Sequence, residues 1–413
     1  MKKILKILLL VLVVSLVTAL IAELPYIRTS DDILNDLDTD GETEYDYTKF
    51  AINPAVVPSE SVNVSAKSCI LCTSDGLVIY EKQADVPLPM ASITKVMSTI
   101  VALENIDDLK QKVQVPQNAV GIEGSSVYLK AGETVDYEML LYSSMLESAN
   151  DAVTALAISV SGSTDAFVEK MNIKASEIGM TSTVFKNPHG LSDDGHYTTS
   201  RDYAKLMSYA LENDDFVKII STKKIVFSNE DNSASRVLTN HNRLLNTYVG
   251  MIGGKTGFTK SSGRTLVTAA ERNGTVLICV TINASDDWND HTSLFNKGFD
   301  TVKTVTLDPG ECQQVLPIAC GKTDKAYLTL TKPLRITVPK DSEVDFKFYR
   351  PHLEFAPVNE GEKIGKLVYF VDGKAVGEVE MTVKATVDAA EVQKRNGLSE
   401  KLKSLLFGKG KTT

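Results

Sequence analysis

A hydroxyl and an amine stand three residues apart in the stretch MASITKVM, as Ser92 and Lys95. Residues at that spacing are neighbours on a helix, so the amine can reach the hydroxyl. An amine held in a dry place near other cations loses its proton readily, and can then act as a base toward the serine. The pattern alone carries little weight, because chance supplies it and it recurs in this chain at Ser221 and Lys224. Two further triplets extend the chemistry. Ser148-Ala149-Asn150 offers a hydroxyl able to relay a proton and an amide able to hold a carbonyl. Lys255-Thr256-Gly257 offers a cation and a hydroxyl for an anion, with a glycine that lets a substrate approach the backbone.

These residues need elements to hold them. KSCILCT from Lys67 and LVIYEK from Leu77 read as two strands joined at Ser74-Asp75-Gly76. After Pro87 and Pro89, the residues Ile93, Val96, Met97, Ile100, Val101 and Leu103 recur at helical spacing, so a helix starts near Ala91 with Ser92 in its first turn. There the free backbone N–H groups and the positive dipole end point toward any oxyanion formed at the serine. Helical patterns continue over Glu138 to Val160, Ala166 to Met180 and Thr199 to Asn213. Extended segments follow: GGKTGFT from Gly253, RTLVTAAER from Arg264 and, after an Asn273-Gly274 turn, TVLICVTI from Thr275. Strands at both ends of a helical middle imply an α+β domain whose early and late strands share one antiparallel sheet.

Several function classes are excluded by the rest of the chain. Its 413 residues, 43% hydrophobic and 23% charged, suit a soluble globular protein of two or three units. A net charge of -9 argues against a nucleic-acid partner, which needs a basic face. None of His189, His196, His241, His291 and His352 falls in an H-E-x-x-H or similar cluster, which argues against a zinc enzyme. Cys69 and Cys72 lie in a strand, where odd spacing sends them to opposite faces, so this lone C-x-x-C is not read as a metal or redox site. Cys312 and Cys320 could form a disulfide in an exported protein, although an odd total of five forbids complete pairing.

Five segments result. Residues 1–22 place Lys2, Lys3 and Lys6 before an apolar run, the layout of a signal peptide or an N-terminal membrane anchor, and imply export. Residues 23–60 carry an acidic run without a base between Arg28 and Lys49, which reads as a solvated linker. The 61–305 segment is the catalytic domain. Short alternating strands (AYLTLT, LRITVPK, VDFKFYR, LVYFVDGKAVGEVEMTVKATV) make 306–387 a separate small β domain. In 388–413, Leu398, Leu402, Leu405 and Leu406 share a helix face beside several lysines. Such a basic amphipathic helix suits the outer face of the cytoplasmic membrane, or alternatively packs its stripe onto its own domain.

The ordered set of S-x-x-K, S-x-N and K-T-G resembles the penicillin-binding protein and serine β-lactamase superfamily. VPLPMASITKVM, GIEGSSVYLKAGE, FKNPHGLSDDGHYTTSRDYAKLM, TNHNRLL and GGKTGFTKSSGRTLVTAAERNG narrow it to the low-molecular-weight D-alanyl-D-alanine carboxypeptidases. The β segment and the C-terminal helix are similar to that family's second domain and membrane anchor. The resemblance implies a penicillin-binding-protein fold, an antiparallel sheet flanked by helices with an all-helical part.

It further implies that Ser92 attacks the carbonyl between two terminal D-alanines of a peptidoglycan stem peptide. Lys95 takes the proton, Ser148 passes one to the leaving D-alanine, Asn150 holds the substrate and Lys255 supports its carboxylate. The backbone N–H groups of Ser92 and Phe258 would form the oxyanion hole, worth about 3 to 4 kcal/mol per donor. Water would then hydrolyse the acyl-enzyme, no cofactor is implied, and β-lactam antibiotics would be covalent inhibitors. Some members carry an arginine after the strand equivalent to TVLICVTI, whereas this chain reads NASDDWNDH, leaving Thr256, Thr259 or Arg264 to meet the carboxylate. His189 is read as a turn residue, Asn242 and Arg243 as anchors of a polar loop, and Trp288 as packing. A class A β-lactamase would need a carboxylate in an E-x-x-L-N loop, and no such string lies between Asn150 and Lys255, so bound penicillin should leave slowly. Endopeptidase action would use the same residues, while a non-catalytic wall-binding or β-lactam-sensing protein would have no need of all five polar groups.

Overall fold

The computed structural model describes residues 62–228 and 235–390. The segments 1–22 and 23–60, and the helix expected over 388–413 beyond residue 390, lie outside the described residues. The chain divides into two compact units, the larger spanning 49–306 and 335–343.

In the larger unit the hairpin β1 (Ser68–Thr73) and β2 (Val78–Lys82) is followed by a 3-10 turn, Ala91–Thr94, that runs into helix α1 (Lys95–Leu103). Every residue of α1 from Lys95 to Ala102 is buried, as befits a helix enclosed on all sides. A small sheet of β3 (Lys112–Gln114) and β4 (Thr134–Asp136) leads into α2 (Tyr137–Leu146), whose N-cap Asp136 accepts a hydrogen bond from Met139 N at 2.9 Å. Next come α3 (Asn150–Ser161), α4 (Thr164–Glu177), α5 (Ser200–Ala210) and α6 (Asp214–Ser221). Helix α1 packs against all five of these helices and is the hub of the helical part.

The helical pattern expected over Glu138 to Val160 is two helices. The chain breaks at Glu147-Ser148-Ala149, where Ser148 adopts a left-handed φ of +59°. A hairpin of β5 (Lys224–Ser228) and β6 (Ser235–Thr239) and a short α7 (Leu244–Thr247) precede three long strands, β7 (Met251–Thr259), β8 (Gly263–Arg272) and β9 (Thr275–Ala284). Helix α8 (Asp287–Thr301) closes the run.

Strands 2-1-9-8-7 form one antiparallel sheet, so the early hairpin joins the late strands through the β1–β9 pairing. Side chains alternate across it with period two. Ile70 and Cys72 face the core shared with the α1–α6 layer, while Cys69, Leu71 and Cys279 face the core shared with Leu294 and Phe295 of α8.

Beyond β10 (Val302–Leu307), the smaller unit holds β11 (Gln314–Ala319), β12 (Lys325–Thr329), β14 (Val344–Tyr349), β15 (Glu354–Phe355), β16 (Lys363–Val371) and β17 (Lys374–Val383) in one sheet of order 14-16-17-12-11-15. The Asp372-Gly373 turn has both φ positive, the geometry of a tight hairpin. Strand β13 (Leu334–Pro339), from the LRITVPK segment read as part of the small β domain, instead pairs with β10, and residues 335–343 cluster with the larger unit. Cys312, buried, and Cys320, exposed, are both free thiols, so the disulfide considered between them is not formed.

Candidate active site

Ser92 is the second residue of the 3-10 turn that feeds α1. Hydrogen bonds pin this turn from below. Lys186 N donates to His196 Nδ1 at 2.9 Å, which leaves Nε2 as the donor to Thr94 Oγ1 at 2.9 Å. Thr94 Oγ1 in turn donates to Ala91 O at 2.7 Å. Burial pushes His196 down to about 4, so the imidazole stays neutral in this chain of donors. From the sheet side, Thr265 Oγ1 donates to Met90 O at 3.1 Å.

Lys95 begins α1 with its side chain fully buried. Its Nζ lies 2.7 Å from Asn150 Oδ1, 2.6 Å from the His189 carbonyl and 3.2 Å from Ser92 Oγ. A neutral amine has two N–H donors and one lone pair. The two shorter contacts are to pure acceptors and take both N–H groups, which leaves the lone pair for the Ser92 hydroxyl proton. Burial, and then the positive charge of Lys255, hold the Lys95 amine well below the usual lysine range, while Asp151 opposes them.

Asn150 opens α3 after the Ser148 turn, and Ala149 gives no side-chain cap. The Asn150 amide is held by Nδ2 donating to Glu123 O at 2.5 Å, so Oδ1 faces Lys95. Ser148 is nearly buried, at 7% exposure, and lines the same cavity as Ser92.

The third triplet arrives on edge strand β7. Lys255 is buried and donates to Thr256 O at 2.9 Å, and burial lowers it to about 7. Gly257 permits the approach of the strand: a Cβ there would stand 2.9 Å from Ser92 N and 2.4 Å from Thr265 Oγ1. The strand backbone at Gly257 therefore lies against the amides of Ser92 and Ile93.

A cavity of about 590 Å³ opens over these groups, lined by Ser92, Ser125, Ser148, Thr256, Gly257, Phe258 and Arg264. Arg264 donates from Nε and Nη2 to Asp287 Oδ1 at 2.9 and 2.6 Å, and its guanidinium lies 5.6 Å from the Trp288 ring centroid. Thr259 lines a neighbouring cavity of about 480 Å³, its hydroxyl 3.0 and 2.8 Å from those of Ser261 and Ser262.

Sequence reasoning missed some of the site. Arg243 and Trp288, read as an anchor and as packing, line the Ser92 cavity together with His241. Asn242 does anchor its loop, accepting from Leu244 N at 3.1 Å. His189 is in a turn as expected, yet its backbone carbonyl holds Lys95. Backbone carbonyls leave no signature in a sequence; the clue to Arg243 was its place in a polar loop, TNHNRLL, of the kind that carries binding residues.

A buried lysine beside a serine at a helix start, with Ser148, Asn150 and a Lys-Thr-Gly strand around one cavity, defines a serine-type hydrolase of the penicillin-recognising class. Residues 55–286 match the family described as D-alanyl-D-alanine carboxypeptidase, and residues 299–389 match the penicillin-binding protein 5 C-terminal domain. The chain is 30% identical to the D-alanyl-D-alanine carboxypeptidase DacF of Bacillus subtilis (strain 168) over 79% of this chain and 86% of that protein. Identity to DacC of Escherichia coli (strain K12) is also 30%, over 83% and 88%. Penicillin binding protein 5 from Haemophilus influenzae superposes with a TM-score of 0.64 at 26% identity, covering 80% of this chain and 99% of that one. The chain belongs to the D-alanyl-D-alanine carboxypeptidase family, with the α+β fold of the low-molecular-weight penicillin-binding proteins, and is a serine-type D-alanyl-D-alanine carboxypeptidase.

Proposed function

We propose that Ser92 is the acyl-ester nucleophile and Lys95 its base, acting on peptidoglycan stem peptides that end in D-alanyl-D-alanine. The observation that carries this reading is the buried Lys95 amine, its Nζ 3.2 Å from Ser92 Oγ, 2.7 Å from Asn150 Oδ1 and 2.6 Å from the His189 carbonyl. Ser92 Oγ adds to the penultimate carbonyl as its proton moves to Lys95. The tetrahedral oxyanion meets the N–H groups of Ser92 and Phe258. Ser148 then relays a proton from Lys95 to the departing amine; the C–N bond breaks, D-alanine leaves, and an ester remains on Ser92. Lys95, neutral again, takes a proton from the water that hydrolyses this ester.

Asn150, expected to hold the substrate, has its amide engaged between Glu123 O and Lys95 Nζ and acts by aiming the lysine. Lys255, Thr256 and Gly257, with Arg264 and Thr259 as further contacts, meet the terminal carboxylate. Asp287 already engages Arg264, so this guanidinium meets a substrate carboxylate as one half of an ion pair. β-Lactams enter by the same attack and leave slowly, a reading supported by the lack of an E-x-x-L-N string between Asn150 and Lys255.

We assign the domain plan 1–22, 23–60, 61–305, 306–387 and 388–413 to export segment, linker, catalytic domain, β domain and membrane-associating helix. The enzyme then works outside the cytoplasm, at the outer face of the membrane. Incubating the purified chain with a peptide ending in D-Ala-D-Ala should release one D-alanine per peptide, with benzylpenicillin hydrolysed only slowly. No free D-alanine, or rapid penicillin turnover, would overturn the reading.

A further inference from the structure

We propose that Asp151 is a positioning residue for acyl transfer, its carboxylate fixing the 123–129 segment that locks the Asn150 amide against Lys95. The inference rests on the reading of Lys95 as the base of Ser92. Asp151 is 1% exposed, and the hydrogen-bond donors on its carboxylate among the described residues are one hydroxyl and three backbone N–H groups. A buried carboxylate in that position requires such donors. It finds them in one loop: Ser126 Oγ at 2.6 Å and Leu129 N at 3.0 Å on Oδ2, and Val127 N at 3.2 Å on Oδ1, which also accepts from Ala152 N at 2.9 Å.

A loop staple alone would explain those bonds. The difference lies in what the loop does next. Its carbonyls at Glu123 and Ser125 accept from Asn150 Nδ2 at 2.5 Å and Asn150 N at 2.7 Å. With Nδ2 committed to Glu123, the amide can present only Oδ1 to Lys95, at 2.7 Å. The fit is close, since a Cβ on Gly124 would stand 2.8 Å from Asn150 Nδ2. Ser125 of the same loop lines the cavity beside Ser92 and Ser148. Loosening the loop therefore frees the Asn150 amide to rotate and removes one of the two acceptors that aim the Lys95 lone pair.

Asp151 also acts through its charge. The charged and titratable groups that face Lys95 are Lys255 from β7, Asp151 from α3 and His189 from the 187–191 turn, the last pushed down to about 4 by burial. Asp151 is the one that favours the protonated amine, so it helps set the pH at which Lys95 becomes a base.

The test compares full-length wild type, Ser92→Ala, Asp151→Asn and Ser126→Ala. Acylation by a fluorescent penicillin is followed from about pH 5 to 10, with thermal melting alongside. Asp151→Asn should slow plateau acylation by about tenfold or more, as misplaced catalytic groups do. Removing the negative charge should also move the acidic limb to lower pH by about half a unit or more. Ser126→Ala, which keeps the charge, should slow acylation with the limb in place. A lower melting temperature for Asp151→Asn with plateau and limb unchanged would make Asp151 a staple only and overturn the proposal. If Asp151→Asn does not fold, unchanged acylation in Ser126→Ala overturns it equally. Ser92→Ala keeps the two readings apart: labelling of that variant refutes the nucleophile, not the positioning residue.

Discussion

Two stretches of this chain carry serine and lysine three residues apart, and they differ in everything around them. Ser92 and Lys95 lie where a 3-10 turn becomes the fully enclosed helix α1, and the amine is out of water. Ser221 ends α6 and Lys224 begins β5, and both are exposed. Ser221 Oγ donates to its own helix, to Lys218 O at 3.1 Å. Burial and a neighbouring cation separate the two lysines, since both disfavour the charged form of the Lys95 amine. Placement, not spacing, fits the first pair for the proposed chemistry.

The largest effect expected from breaking this contrast is on Lys95. Lys95→Met should slow acylation about a thousandfold or more, because the nucleophile loses its proton acceptor. Lys224→Met should leave the rate of acylation as it is; stopped-flow labelling with a fluorescent penicillin measures both. Gly257→Ala should come next, with a loss of about tenfold to a hundredfold, because the new Cβ would stand 2.9 Å from Ser92 N. Its melting temperature should fall far less than its rate.

The charge environment sharpens the comparison further. Activity should rise with pH as Lys95 loses its proton, and Lys255 helps by disfavouring the charged amine. Lys255→Met should therefore move the acidic limb of the acylation profile to higher pH, opposite in sign to Asp151→Asn. A limb that stays put would mean that another group is the base.

Stability carries the smallest expected signal. Lys255 holds its proton to about 7 in the folded chain against 10.5 ordinarily. Between those values the unfolded chain binds more protons, so stability rises with pH across that window, and the full cost of the buried charge is present below it. Lys255→Met should melt above the wild type near neutral pH, and the gap should close by about pH 10.

Much of this was legible in the sequence. The order of the three triplets, the helix start at Ser92 and the strands of the sheet follow from apolar spacing and turn residues. The break within Glu138 to Val160 was not, because Glu147-Ser148-Ala149 reads as a polar interruption of a helix that resumes its apolar spacing beyond, and the turn has neither glycine nor proline; Ser148 takes its left-handed φ from the tertiary fold. Nor could spacing foretell that β13 would pair with β10, since strand partners distant in sequence are chosen by packing rather than by local pattern. The acceptors on Lys95 were half hidden: Asn150 stood in a motif, while the His189 carbonyl, like the Glu123 carbonyl that holds the Asn150 amide, belongs to the backbone and has no residue type to betray it.

The central claim is that Ser92 forms the covalent intermediate. Mass spectrometry after brief exposure to benzylpenicillin tests it directly. Wild type should gain one penicilloyl mass, located on the peptide that contains Ser92, and Ser92→Ala should gain none. An adduct on the alanine variant, or a wild-type adduct on any other peptide, would contradict the account.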